Sequence, residues 1–168
     1  MPGGDAYAAS VTVTDSSEYG FWTQGVLGER IPLQVDEISV IGEEGSIEYT
    51  RAGSNVVTFP AGNYTINYQG AIRNNYLQVS FGQPYNLTVL LPEGLDVRNP
   101  VLGMISPGGV ASEEHDGTVS VTWNQTTFVE CRFYDPLHEI LLSAFGTIWI
   151  IAAAIFVVPF FLSGRKKR

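Results

Sequence analysis

Val119-Ser120-Val121-Thr122-Trp123 alternates apolar and polar side chains with a period of two, the pattern of a strand with one buried and one wet face. The same period recurs in Ser10-Val11-Thr12-Val13-Thr14, in Asn63-Tyr64-Thr65-Ile66-Asn67-Tyr68 and in Leu77-Gln78-Val79-Ser80-Phe81. Further strand candidates run from Gly20 to Leu27, Ile31 to Val40, Ser46 to Arg51, Asn55 to Phe59, Tyr85 to Leu91, Val101 to Ser106 and Thr127 to Tyr134. Glycine and proline punctuate them at Gly42 to Gly45, Pro60-Ala61-Gly62, Gly82 to Pro84, Pro92 to Gly94 and Pro107-Gly108-Gly109. About ten short strands and no helix before Pro136 predict an all-β fold, an antiparallel β-sandwich of Ig-like or prealbumin-like layout. No internal repeat stands out in the sequence.

Working towards the C-terminus, the pattern changes at Asp135-Pro136, an N-cap residue followed by proline at the first helical position. From Ile140 to Leu162 no charge interrupts an apolar run of the length that crosses a ~30 Å hydrocarbon core, with Trp149 and Pro159 inside it. Arg165-Lys166-Lys167-Arg168 follows as a stop-transfer cluster, and cytoplasmic enrichment of basic residues puts this end inside. The expected organisation is a β-domain over 1–135, a transmembrane helix over 136–163 and a basic tail over 164–168. Almost no linker separates domain from span, which predicts a domain held at the membrane surface rather than on a stalk. Met1-Pro2-Gly3-Gly4 carries no positive start and no apolar run. Export of the domain therefore calls for a start upstream of Met1, the alternative being a tail-anchored protein with its domain in the cytoplasm.

Seventeen carboxylates and five arginines precede the span, so the domain is strongly acidic. Such a surface repels phosphate backbones and excludes nucleic acid as the expected partner. No lysine occurs before Lys166, which removes a Schiff-base lysine, a P-loop lysine and a lysine isopeptide staple. Cys131 is the sole cysteine, so no intrachain disulfide forms, and its alternation with Val129 and Phe133 points it into the core.

Sites with chemistry are few. His115 and His138 are the two histidines, too few for a three-histidine zinc centre. Glu113-Glu114-His115-Asp116 is the one cluster with ligand chemistry, and Glu113, Glu114 and Asp116 are the candidate oxygen ligands for calcium or another cation, beside the plainer reading of a solvated loop. Asn63, Asn86 and Asn124 head three Asn-x-Ser/Thr sequons and are the candidate glycosylation sites. No nucleophile elbow, P-loop or dinucleotide fingerprint is present, and Ser106 stands in a turn, so neither catalysis nor a cofactor is expected. Trp123 shares a face with Val119 and Val121 and belongs to the core, whereas consecutive Phe21-Trp22 must put one ring outside, a candidate contact.

Phe59-Pro60-Ala61-Gly62-Asn63-Tyr64-Thr65-Ile66 resembles the Pro-Ala-Gly-x-Tyr-x-Ile hairpin of prealbumin-like and Cna-B-like surface sandwiches, which implies a turn feeding a strand whose Tyr64 and Ile66 point inward, in a structural or carbohydrate-facing module. The missing lysine departs from the Cna-B crosslink pattern. From Tyr85 onward, Leu91-Pro92-x-Gly94, Leu102-Gly103, Ser106-Pro107-Gly108-Gly109, Val121-Thr122-Trp123 and Val129-x-x-Arg132-Phe133-Tyr134 resemble an uncharacterised archaeal family of membrane-anchored proteins. That resemblance implies an extracytoplasmic β-domain with no assigned activity; the lipobox cysteine of its lipoprotein form is missing here. The expected function is a non-enzymatic cell-envelope binding or scaffolding protein, an accessory subunit at the outer face of the cytoplasmic membrane. Its partners would be the lipid bilayer and a neighbouring membrane or envelope protein. The alternatives are a cation- or glycan-binding surface domain and the tail-anchored adaptor.

Overall fold

Alternation becomes burial along every long strand of the computed structural model, which describes residues 6–25, 27–72 and 74–164, with side chains as far as Val158. The basic cluster Arg165 to Arg168 and the side chains of Pro159 and Leu162 lie outside the described residues. In chain order the strands are β1 (Ala6–Gly20), β2 (Trp22–Gln24), β3 (Arg30–Pro32), β4 (Val35–Gly42), β5 (Gly45–Ile47) and β6 (Thr50–Arg51). They continue with β7 (Val56–Ala71), β8 (Tyr76–Leu90), β9 (Met104–Ile105), β10 (Gly109–Glu113) and β11 (Val119–Arg132), before the helix α1 (Pro136–Gly164). Two compact units result, Met1–Tyr134 and Asp135–Arg168.

All strand pairs are antiparallel, in one nine-stranded sheet of order β10-β11-β8-β1-β7-β4-β5 with β6 added to β7 and β9 to β11; β2 and β3 form a separate ribbon. Four strands run for 14 to 16 residues, and in three of them, β7, β8 and β11, the sequence pattern divides one strand into two. Pro60-Ala61-Gly62 is not a hairpin turn but the middle of β7, and Gly82 to Pro84 is the middle of β8. Residues that read locally as turn formers also serve where a strand bends without reversing. Buried positions in β7 change parity across the bend, from Val57 and Phe59 to Ile66 and Tyr68, as a one-residue slip requires. Ile66 points inward as the hairpin resemblance implies, while Tyr64 is half-buried against Phe59 at a ring distance of 5.1 Å.

The bends contain an internal repeat that the sequence alone conceals. In β1, Val13 faces Tyr64 and Ser16 faces Gly62, so Thr14 and Asp15 together oppose Asn63. In β11, Trp123 faces Leu87 and Thr126 faces Tyr85, so Asn124 and Gln125 together oppose Asn86. Asp15 and Gln125 take positive φ of 49° and 50°, which turns their amides out of the ladder. In each case the asparagine across the ribbon accepts that amide: Asp15 N donates to Asn63 Oδ1 at 2.9 Å, and Gln125 N to Asn86 Oδ1 at 2.9 Å. The next hydroxyl repeats as well, with Ser16 Oγ donating to Glu18 O and Thr126 Oγ1 to Phe128 O, both at 2.7 Å. Two matched kinks thus fold one sheet over a single core.

β1 and β8 pair only from Ala8↔Leu90 to Thr12↔Asn86. Beyond that point β1 continues beside β7 and β8 beside β11, so the two strands fork. Inside, Tyr7, Tyr68, Phe21, Tyr19, Tyr85 and Phe81 form a run of edge-to-face ring pairs with centroids 4.9 to 6.4 Å apart. Such pairs add about 0.5–1.5 kcal/mol each beyond the area they bury. Among the described residues the Tyr7 hydroxyl is buried without a partner, and burial pushes the Tyr7, Tyr19 and Tyr68 phenols well above their usual range.

In the second unit Asp135 caps α1: its Oδ1 accepts the Leu137 amide at 2.8 Å, and Pro136, without an N–H to satisfy, begins the helix. Over Pro136–Val158, 23 residues, the helix is long and apolar enough to cross a membrane. Ile140 and Trp149 are exposed along it.

Candidate binding cleft

The fork between β1 and β8 is a cleft of about 490 Å³. Three segments that are separate in sequence line it: the bulge of β1 with Asp15 and Glu18, the bend of β8 with Gly82, Gln83 and Tyr85, and the β2–β3 ribbon with Trp22 and Arg30. In the ribbon Trp22 is opposite Pro32 and Gln24 opposite Arg30, so Trp22 and Arg30 occupy one face while Thr23 and Ile31 occupy the other. Thr23 and Ile31 line a second cleft of about 450 Å³ beside Tyr7 and Leu77.

Of the Phe21-Trp22 pair, Phe21 is 1% exposed in the core and Trp22 is the outer ring. Its position depends on Gly20, because a Cβ there would overlap Trp22 Nε1. The Nε1 edge of the indole therefore points at the bare backbone of Gly20. The Arg30 guanidinium lies over Gly82, whose added Cβ would sit 3.7 Å from both terminal guanidinium nitrogens, and it makes no ion pair among the described residues. Gln83 Nε2 donates to the Tyr85 hydroxyl at 2.8 Å. The cleft thus offers an indole, a free guanidinium, an amide, a phenol and two carboxylates.

Glu113, Glu114 and Asp116 end β10 and form the turn into β11. Glu113 pairs with Arg98 at 2.6 Å, while Asp116 Oδ1 accepts the Thr118 amide at 3.1 Å and its hydroxyl at 2.6 Å. Those bonds from Thr118 hold the Asp116 carboxyl below its usual range. Glu114 closes the turn through its backbone, donating to Thr118 O at 2.8 Å and accepting from Gly117 N at 3.0 Å. Among the described residues no three His, Cys, Asp or Glu side chains are grouped so as to hold a metal ion. Cys131 is fully buried between Val129 and Phe133, and burial pushes its thiol up to about 12.

Asn63 and Asn124 are exposed and Asn86 is half-buried, all three at the two bulges. Asn63→Ala and Asn86→Ala should each cost about 1 kcal/mol of stability, the typical net value of one hydrogen bond. Urea titration of protein made in a host without N-glycosylation checks this, and unchanged midpoints would show that water replaces the asparagine carbonyl without loss.

Sequence reasoning finds Trp22 through the Phe21-Trp22 dipeptide but misses Asp15, Glu18, Arg30, Gln83 and Tyr85. No local pattern joins them; only the fork does. A family model described as a family of unknown function, DUF5803, matches residues 2–163. No curated protein and no solved structure matches the chain.

Proposed function

We propose that this chain, which belongs to the DUF5803 family, is a membrane-anchored cell-envelope binding protein without catalytic activity. In this reading α1 spans the cytoplasmic membrane once, the basic tail stays inside, and the β-domain faces out to engage a neighbouring membrane or envelope component. The resemblance of the motifs from Tyr85 onward to those of archaeal membrane-anchored proteins supports the same placement.

One observation carries the reading: the covalent tether has a single residue of slack. Tyr134 is fixed in the domain by a two-way backbone bridge to Asp96, with Tyr134 N donating to Asp96 O at 2.8 Å and Asp96 N to Tyr134 O at 2.9 Å. Tyr134 also accepts the Asn99 amide on its hydroxyl at 3.1 Å. Pro136 already belongs to the helix, which leaves Asp135 alone between the two units. One residue spans at most about 3.6 Å, so the domain works within reach of the bilayer and of proteins beside it.

The buried, poorly ionised Cys131 leaves the native chain silent to maleimides, which makes topology directly testable. A Glu44→Cys variant, in the exposed β4–β5 turn, should label on intact cells with a membrane-impermeant maleimide. An Arg168→Cys variant should label only after permeabilisation. The reverse pattern would establish the tail-anchored cytoplasmic arrangement instead.

A further inference from the structure

We infer that the cleft in the β1–β8 fork is a saccharide-binding site that takes a pyranose ring against Trp22. This deepens the binding reading above by naming what the domain recognises, and it holds whichever side of the membrane the domain occupies.

The chemistry of the cleft fits a sugar better than other ligand classes. A pyranose has an apolar C–H face, which suits a rigid indole, and a rim of hydroxyls that both donate and accept. Trp22 supplies the aromatic wall, its Nε1 edge set against Gly20 so that its place is fixed by the backbone. Arg30 and Gln83 supply donors and Asp15 and Glu18 charged acceptors; bonds to such ionised groups are roughly twice as strong as neutral ones. Among the described residues Arg30 makes no ion pair, so its donors need not be released from one before they meet a ligand. Two carboxylates against one guanidinium disfavour phosphates and other dianions. A purely apolar ligand would strand these polar groups without partners. A volume of about 490 Å³ lies within the range of small-ligand sites and admits one or two rings.

The full chain in a sugar-free amine-oxide detergent can be titrated by calorimetry and saturation-transfer NMR with methyl glycosides of glucose, galactose, mannose and N-acetylglucosamine, and with their disaccharides. At least one of these probes should bind saturably with a dissociation constant of about 1 mM or tighter. Trp22→Ala and Arg30→Ala should each weaken binding about tenfold or more. Gly20→Ala should weaken it by displacing the indole. Arg30→Ala and Gln83→Ala alter exposed side chains, so they test the site even if a change at Trp22 unfolds the domain. Failure of every probe to bind a chain with an intact near-ultraviolet spectrum would overturn the inference. So would binding that Trp22→Ala and Arg30→Ala leave unchanged, or a cleft that takes oligopeptides and no sugar. None of these outcomes bears on the membrane topology, which the maleimide experiment reads separately.

Discussion

Replacing Trp123 with alanine is expected to lower the unfolding free energy by about 3–5 kcal/mol, a large share of the ~5–15 kcal/mol that holds a typical domain together. Trp123 has no exposed surface and is the largest fully buried side chain of the chain's described residues. Its indole Nε1 donates to Ser106 Oγ at 3.0 Å, and that hydroxyl also accepts the Glu130 amide at 3.0 Å. The ring is covered by the Ser106–Gly109 turn, where a Cβ on Gly109 would stand 2.5 Å from Nε1. Truncation therefore combines lost burial, a cavity that a tight turn cannot collapse to fill, and a serine hydroxyl left with one partner fewer. Trp22→Ala is the natural comparison, since Trp22 is partly exposed and borders a cleft, and its cost should stay within about 1 kcal/mol. Denaturant unfolding of the full chain in detergent, followed by near-ultraviolet circular dichroism, separates the two. A Trp123→Ala midpoint near that of wild type would mean that the turn repacks over the cavity.

The contrast between the two tryptophans shows what the sequence makes legible. Trp123 is readable because Val119 and Val121 share its face, and a period of two reports burial directly. Fold class follows from the same signal. What local pattern cannot show is whether Gly82 to Pro84 or Pro60 to Gly62 reverses the chain or merely bends it, because bulges and turns recruit the same residues. The parity change between Phe59 and Ile66 is the one trace of the bend in β7. In β1 and β11 two register shifts occur in each strand and parity is restored, so no trace remains. Two of the three sequon asparagines take part in the same bends. Asn63 and Asn86 each accept a bulge amide, and the threonine two residues on lies further along the same strand, where Thr88 Oγ1 meets Thr122 Oγ1 at 3.1 Å. The cleft was illegible because its walls come from three segments joined only by the fork.

Gly103→Ala is expected to cost about 3 kcal/mol, at the upper end of overpacking penalties, and to loosen the anchor of Tyr134 with it. Gly103 is buried, and an added Cβ would overlap the Val97 carbonyl oxygen, with the carbonyl carbon at 2.7 Å and the Val97 Cα at 2.9 Å. Backbone cannot swing aside as a side-chain tip does, so Val97 itself must move. Val97 is 2% exposed, and its amide donates to Asp96 Oδ1 at 2.6 Å. Asp96 is the residue bridged to Tyr134. Partial burial would raise the Asp96 carboxyl, but bonds from Arg98 and from the Val97 amide outweigh it and hold the carboxyl below its usual range. A clash at Gly103 is thereby transmitted through Val97 and Asp96 to the last residue before the helix cap. Amide hydrogen exchange should record this as lost protection at Asp96 and Tyr134, alongside the drop in global stability. Protection retained at both, despite that drop, would show that the loop absorbs the added methyl without passing the strain on.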